Sequence, residues 1–136
     1  MKRLAVGLVA MVTLLLAGCS SSGAAPSSSW TPTPVPTSGW SGGAGLQALA
    51  FGTLERDKNG CLGLGPGSAF RWPKGFTGRT SSSGVVEVLN TQGQVVARTG
   101  HPVKLGGGQE PGTPTGPCLD GYQVFDIESI VPTLAP

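Results

Sequence analysis

Gly84-Val85-Val86-Glu87-Val88-Leu89-Asn90-Thr91-Gln92-Gly93-Gln94-Val95-Val96-Ala97-Arg98 is the stretch that decides the fold class. Two valine-rich runs flank a polar Asn-x-x-Gly break, and neither carries an apolar repeat of 3.6 residues. That is the pattern of two short strands joined by a hairpin turn. The same punctuation recurs on either side. Upstream, Leu46 to Glu55 predicts a strand, Asp57-Lys58-Asn59-Gly60 a hairpin turn, and Cys61 to Leu64 the returning strand. Ala69-Phe70-Arg71-Trp72 reads as another strand, stopped by Pro73. Downstream, Val103-Lys104-Leu105 and Tyr122 to Glu128 complete six or seven short strands. The expectation is an all-β domain over 46–136, a small OB-like or SH3-like barrel or sandwich, with no helix beyond an N-terminal signal.

Composition bounds what such a domain can do. Of 136 residues, 23 are Gly and 12 are Pro, while 12% are charged and 6% aromatic. One small domain fits, and a large enzyme core is excluded. Lys2 and Arg3 supply two of the nine basic residues, so the rest of the chain balances seven basic against seven acidic groups. That balance argues against a nucleic-acid partner.

The first residues read as an export signal. Met1-Lys2-Arg3 is a short basic start, and Leu4 to Leu16 is an uncharged apolar run. As a helix this run would span roughly 20 Å, short of the roughly 30 Å of bilayer hydrocarbon. Leu16-Ala17-Gly18-Cys19 then resembles the lipobox of bacterial lipoproteins, with an aliphatic residue, two small residues and a Cys at the cleavage point. Small side chains at 17 and 18 let an extended backbone enter a narrow protease cleft. The resemblance implies a signal peptide over 1–18, Cys19 as the acylated mature N-terminus, and residence on the extracytoplasmic face of the cell membrane through a lipid partner. Two acyl chains on a Cys give stable anchoring where one gives marginal binding.

Residues 19–45 read as the lipidated Cys and a disordered Ser/Pro/Gly-rich linker, because 20–45 hold no charge and little that could form a core. Thr31-Pro32-Thr33-Pro34-Val35-Pro36 favours polyproline II. Trp30 and Trp40 are either interfacial anchors or, for Trp40, a residue packed on the domain and, for Trp30, an incidental one.

With Cys19 acylated, Cys61 and Cys118 remain in an exported domain and are expected to pair as a disulfide. Their long spacing and the single histidine disfavour a metal site, and no cofactor is expected. That histidine, His101, lies between Gly100 and Pro102, the setting of a surface turn. No Gly-x-Ser-x-Gly nucleophile elbow accompanies it. Gly106 to Gly108 predicts a wide turn, or else an anion-cradling nest. Asp126 and Glu128 fall on one face of the last strand by period two, which predicts a solvated face and could also serve acid/base chemistry. Trp72, Lys74 and Phe76, around a Pro-Gly turn, could stack on a sugar or grip a peptide, or Trp72 and Phe76 could close one end of the core.

The succession of hairpin, Cys61-Leu62, Trp72-Pro73, strand pair, Leu105-Gly106-Gly107-Gly108-Gln109-Glu110, Cys118 and apolar final strand is similar to small secreted domains of high-GC Gram-positive bacteria. The similarity covers about Phe51 to Val131. No activity is assigned to those domains, so it implies no catalytic residue here. The expected function is a non-catalytic binding or accessory domain with an envelope protein or glycan as partner. The alternative is a small envelope hydrolase or metal-handling protein built on His101 and carboxylates.

Overall fold

The computed structural model describes residues 29–39, 45 and 47–131. The signal segment, Cys19 and Trp40 lie outside them. The described residues form ten strands and no helix: β1 (Trp30–Thr33), β2 (Ala48–Thr53), β3 (Glu55–Arg56), β4 (Leu62–Gly63), β5 (Ser68–Arg71), β6 (Thr77–Ser81), β7 (Val86–Leu89), β8 (Val95–Arg98), β9 (Pro102–Gly108) and β10 (Gln123–Val131). One sheet has the order β1-β6-β7-β8, a second β2-β9-β10-β5, and β3 pairs with β4. Every pairing is antiparallel except β5 with β10. The all-β expectation holds. Both four-stranded sheets are open, however, and no closed barrel forms among the described residues.

The core draws on both sheets. Val86, Val88 and Ala97 come from β7 and β8, and Phe70, Val103, Leu105 and Ile127 from β5, β9 and β10, with Leu54, Leu62 and Trp72 between them. Leu54 explains why the expected first strand is two. It is fully buried, its N–H donates to the His101 carbonyl at 2.9 Å, and its carbonyl accepts from Gly100 at 2.8 Å. The chain thus leaves β2 at Leu54 and starts a new ladder at Glu55.

One turn design recurs three times. At Asp57, Ser81 and Asn90 a side-chain oxygen accepts the N–H four residues on, at 2.9, 3.1 and 2.9 Å. Three residues on stands a glycine, Gly60, Gly84 or Gly93, with φ of 87, 85 and 76°. Such a turn needs a short polar side chain at its start and a residue tolerant of positive φ at its end. Two of the three turns are the predicted hairpins. The third joins β6 to β7, and β6 is the strand missed in the sequence, because Thr-Gly-Arg-Thr-Ser carries no apolar alternation.

The linker expectation fails over residues 30–38. β1 pairs with the edge of β6, setting Trp30 opposite Ser81 and Thr33 opposite Gly78, so this Pro-containing segment is a strand in place of free polyproline II. Its prolines suit an edge position, where no outward N–H is needed. Trp30 is not incidental: its ring lies 4.4 Å from the Arg79 guanidinium carbon, a cation–π contact. The hydroxyls of Thr33 and Thr80 are hydrogen-bonded. Beyond β1 the strap crosses to the other sheet, where the Trp72 N–H donates to Pro36 at 2.8 Å and the Ser38 N–H donates to the Trp72 carbonyl at 2.7 Å.

Gly106 to Gly108 is neither a turn nor a nest. It is the buried end of β9, paired with β2 on one side and β10 on the other. A Cβ on Gly107 would land on the Asp126 carbonyl oxygen, and one on Gly106 on the Ser129 hydroxyl. The glycines let three backbones approach where a side chain would hold them apart.

Cys61 and Cys118 are disulfide-bonded, with Cα atoms 5.2 Å apart and a sequence separation of 57. Replacing both with Ser should lower the unfolding free energy by up to about 4 kcal/mol in denaturant titration, the chain-entropy value for a loop of this length. A Cβ at position 78 would sit 2.6 Å from the Thr33 carbonyl oxygen. Gly78→Val should therefore lift the strap, expose Trp30 to chymotryptic cleavage, and cost about 2 kcal/mol.

Candidate functional site

The parallel pairing of β5 and β10 sets Arg71 beside Asp126, and the long segment after β9 brings Glu110 to the same guanidinium. Arg71 donates from Nε to Asp126 Oδ1, from Nη2 to Asp126 Oδ2 at 2.8 Å, and from Nη2 to Glu110 Oε2 at 2.7 Å. Asp126 is buried and Glu110 half-exposed. The guanidinium is held above its ordinary value, first by its hydrogen bond to Asp126 and then, against desolvation, by the charges of both carboxylates. This ion cluster floors an open cleft of about 590 Å³, also lined by Gln109, Thr113, Tyr122 and Gln123, within the size range of small-molecule sites.

The wall of the cleft is fixed by the disulfide and by a second polar cluster. Tyr122 Oη donates to Asp57 Oδ2 at 2.6 Å and accepts from Asn59 Nδ2 at 2.8 Å. The Tyr122 bond, followed by the Cys61 N–H, holds the Asp57 carboxyl below its ordinary value. The hairpin loop is thereby linked to the cleft rim through the residue before β10.

Chemically the floor is an ion cluster of one guanidinium and two carboxylates edged by uncharged polar groups. Arg71 is committed to two carboxylates, and Asp126 takes two hydrogen bonds from it, so neither is poised for proton transfer. Gln109, Gln123, Thr113 and Tyr122 offer donors and acceptors without net charge.

The predicted site residues scatter. Trp72 is fully buried in the core, its ring edge-on to Phe70 at 6.0 Å, so it offers no contact surface. Phe76 packs partly against the same core and Lys74 is exposed, so the trio is not one binding face. Of the two readings of that segment, core closure is the one the packing supports. His101 sits in the turn between β8 and β9, where its backbone N–H donates to the Arg98 carbonyl at 3.1 Å and its carbonyl accepts from Leu54. The solvated face expected for Asp126 and Glu128 is also corrected: the register shifts between Ile127 and Ser129, and Asp126 is buried against Arg71. Among the described residues no group of three His, Cys, Asp or Glu could hold a metal. No described helix is long and apolar enough to cross a membrane.

A second buried charge lies across the other sheet. Register sets Glu87 between Arg79 and Arg98, and its carboxylate accepts two hydrogen bonds from each. These three residues share one face of β6, β7 and β8 with Trp30 capping Arg79, a structural cluster that sequence spacing alone does not reveal.

No protein-family model, characterised protein or solved structure matches the chain.

Burial pushes Glu87 up, but the hydrogen bonds and charges of Arg79 and Arg98 outweigh it and hold the carboxyl below its ordinary value. The stability this provides is complete above about pH 4.5 and is lost as pH falls through the lower folded value. Glu87→Gln should cost about 2 kcal/mol at pH 7, moderated by the partial exposure of both arginines, and should flatten the acid limb of a stability-against-pH curve.

Proposed function

We propose that the protein is a lipid-anchored envelope lipoprotein whose β domain binds a partner without catalysing a reaction. The anchor reading rests on Leu16-Ala17-Gly18-Cys19 after an uncharged apolar run. The binding reading rests on the Arg71 floor: an ion cluster of one guanidinium and two carboxylates, with a net charge of −1, lies under a polar cleft that can recognise hydroxyl- or amide-rich groups, such as an envelope glycan or an extended peptide. Its architecture is read as a small β sandwich in place of the OB-like or SH3-like barrel, supported by a core drawn from both open sheets. The hydrolase or metal-handling alternative has less support, because the described surroundings of His101 supply neither a nucleophile nor a ligand set.

Intact-mass measurement of membrane-extracted protein should show a chain starting at acylated Cys19, and Cys19→Ala should release the domain or leave it uncut. A free Cys19 thiol would overturn the anchor. For the cleft, Gln123→Ala and Thr113→Ala should weaken binding of glycan fragments or short peptides, followed by NMR shift changes at residues 109–126. Binding that is undisturbed by both, with loss of an envelope phenotype in His101→Ala alone, would favour the alternative.

A further inference from the structure

We propose that the outward face of β2, β9 and β10 is a bilayer contact, on which Leu49, Phe51 and Lys104 seat the domain against an anionic phospholipid surface. The proposal rests on the anchored reading above. Phe51 is 78% and Leu49 66% exposed, while Ala50 between them turns to the core. Register lines up Phe51 of β2, Lys104 of β9 and Val131 of β10 in one row across three strands. Val131 is 40% exposed and Lys104 is exposed as well, so the row reads apolar, cationic, apolar. No charged residue occurs from 45 to 54. A shallow hollow of about 560 Å³ lies between these side chains.

Charge and reach select a bilayer as the occupant. The hollow is lined by one cation and no carboxylate, so it complements anionic headgroups while its aliphatic and aromatic tips enter the acyl boundary. A second copy of the chain docked face to face would bring one Lys104 against the other, a like-charge contact. Because the strap docks the chain from Trp30 onward, ten residues separate Cys19 from the fold instead of twenty-six. Ten residues reach at most about 35 Å. That is close to the width of a domain of about 100 residues, so the patch can reach the surface from any attachment side. Confinement to that distance raises the effective concentration of lipid at the patch, so a contact that needs millimolar lipid to hold a free protein suffices to orient a tethered one.

The described fold lies wholly within residues 29–131, so a chain beginning at Ser20 keeps every described contact and tests the patch without the acyl anchor. Its partition onto vesicles of phosphatidylglycerol and phosphatidylcholine is measured at millimolar lipid, beside pure phosphatidylcholine vesicles. The double variant Leu49→Ser/Phe51→Ser should lower the partition coefficient by about tenfold with unchanged thermal unfolding. Lys104→Gln should lower it on the anionic vesicles alone. The exposed control Gln92→Ser should leave it unchanged. Absence of wild-type partition, equal partition by the double variant, or sedimentation of the wild type as a dimer that this double variant abolishes would each overturn the proposal. Because this chain lacks Cys19, such a failure leaves the mass test of acylation standing on its own.

Discussion

Trp72 is the residue through which the two halves of the fold are joined. Its ring is fully enclosed between the sheets, edge-on to Phe70, and its backbone N–H and carbonyl are both taken by the strap at Pro36 and Ser38. The indole N–H has no partner among the described residues, so a buried polar group is left unmet. That costs on the order of 1–3 kcal/mol, comparable with what burial of so large a ring provides. The position is therefore held by shape more than by polar satisfaction. The strap that depends on it in turn brings β1 to the edge of β6 and Trp30 to Arg79.

The same economy of core explains the ion clusters. So small a domain cannot enclose much apolar volume, and the two sheets each spend a buried position on a carboxylate, Glu87 in one and Asp126 in the other. Glu87 is held by two arginines and Asp126 by one, each directly across the ladder, so desolvation is met by hydrogen bonds with fixed geometry. The Glu87 cluster knits three strands together. The Asp126 cluster opens onto one, where Glu110 carries the Arg71 guanidinium to the surface. The two clusters are inverse in charge, one carboxylate between two arginines in the first and one arginine between two carboxylates in the second, and the second lies under a hollow walled by the segment between β9 and β10.

The proposed anchor and the fold bear on one another through the strap. Read as a free tether, residues 20–45 would hold the domain well away from lipid; with the strap docked from Trp30, the proposed anchor at Cys19 stands ten residues from the fold, which under that proposal brings an uncharged strand with exposed Phe51 within reach of the bilayer. The disulfide acts on a separate part of the molecule, tying the Asp57 hairpin to the loop that walls the cleft. Neither feature adds to the buried core, and both limit where the domain and its cleft can go.

Local chemistry was legible in the sequence. Valine-rich runs broken by Asp, Asn and Gly marked the hairpins, because turn conformation depends on a few neighbouring atoms, and Cys61 and Cys118 could be paired because reading the chain as exported, with Cys19 acylated, left them as the remaining thiols. The Ser81-x-x-Gly84 turn carried the same signal and would have revealed β6. What the sequence could not show was every feature decided by partners distant along the chain. Pro-rich residues 30–38 are a strand because the edge of β6 accepts them; Gly106 to Gly108 are strand and not turn because β2 and β10 press on both sides. Asp126 is buried because parallel pairing sets Arg71 beside it, and Trp72 is core because two sheets meet over it. Periodicity reports which way a side chain points, but burial depends on what stands opposite, and that is fixed only when the sheets have assembled.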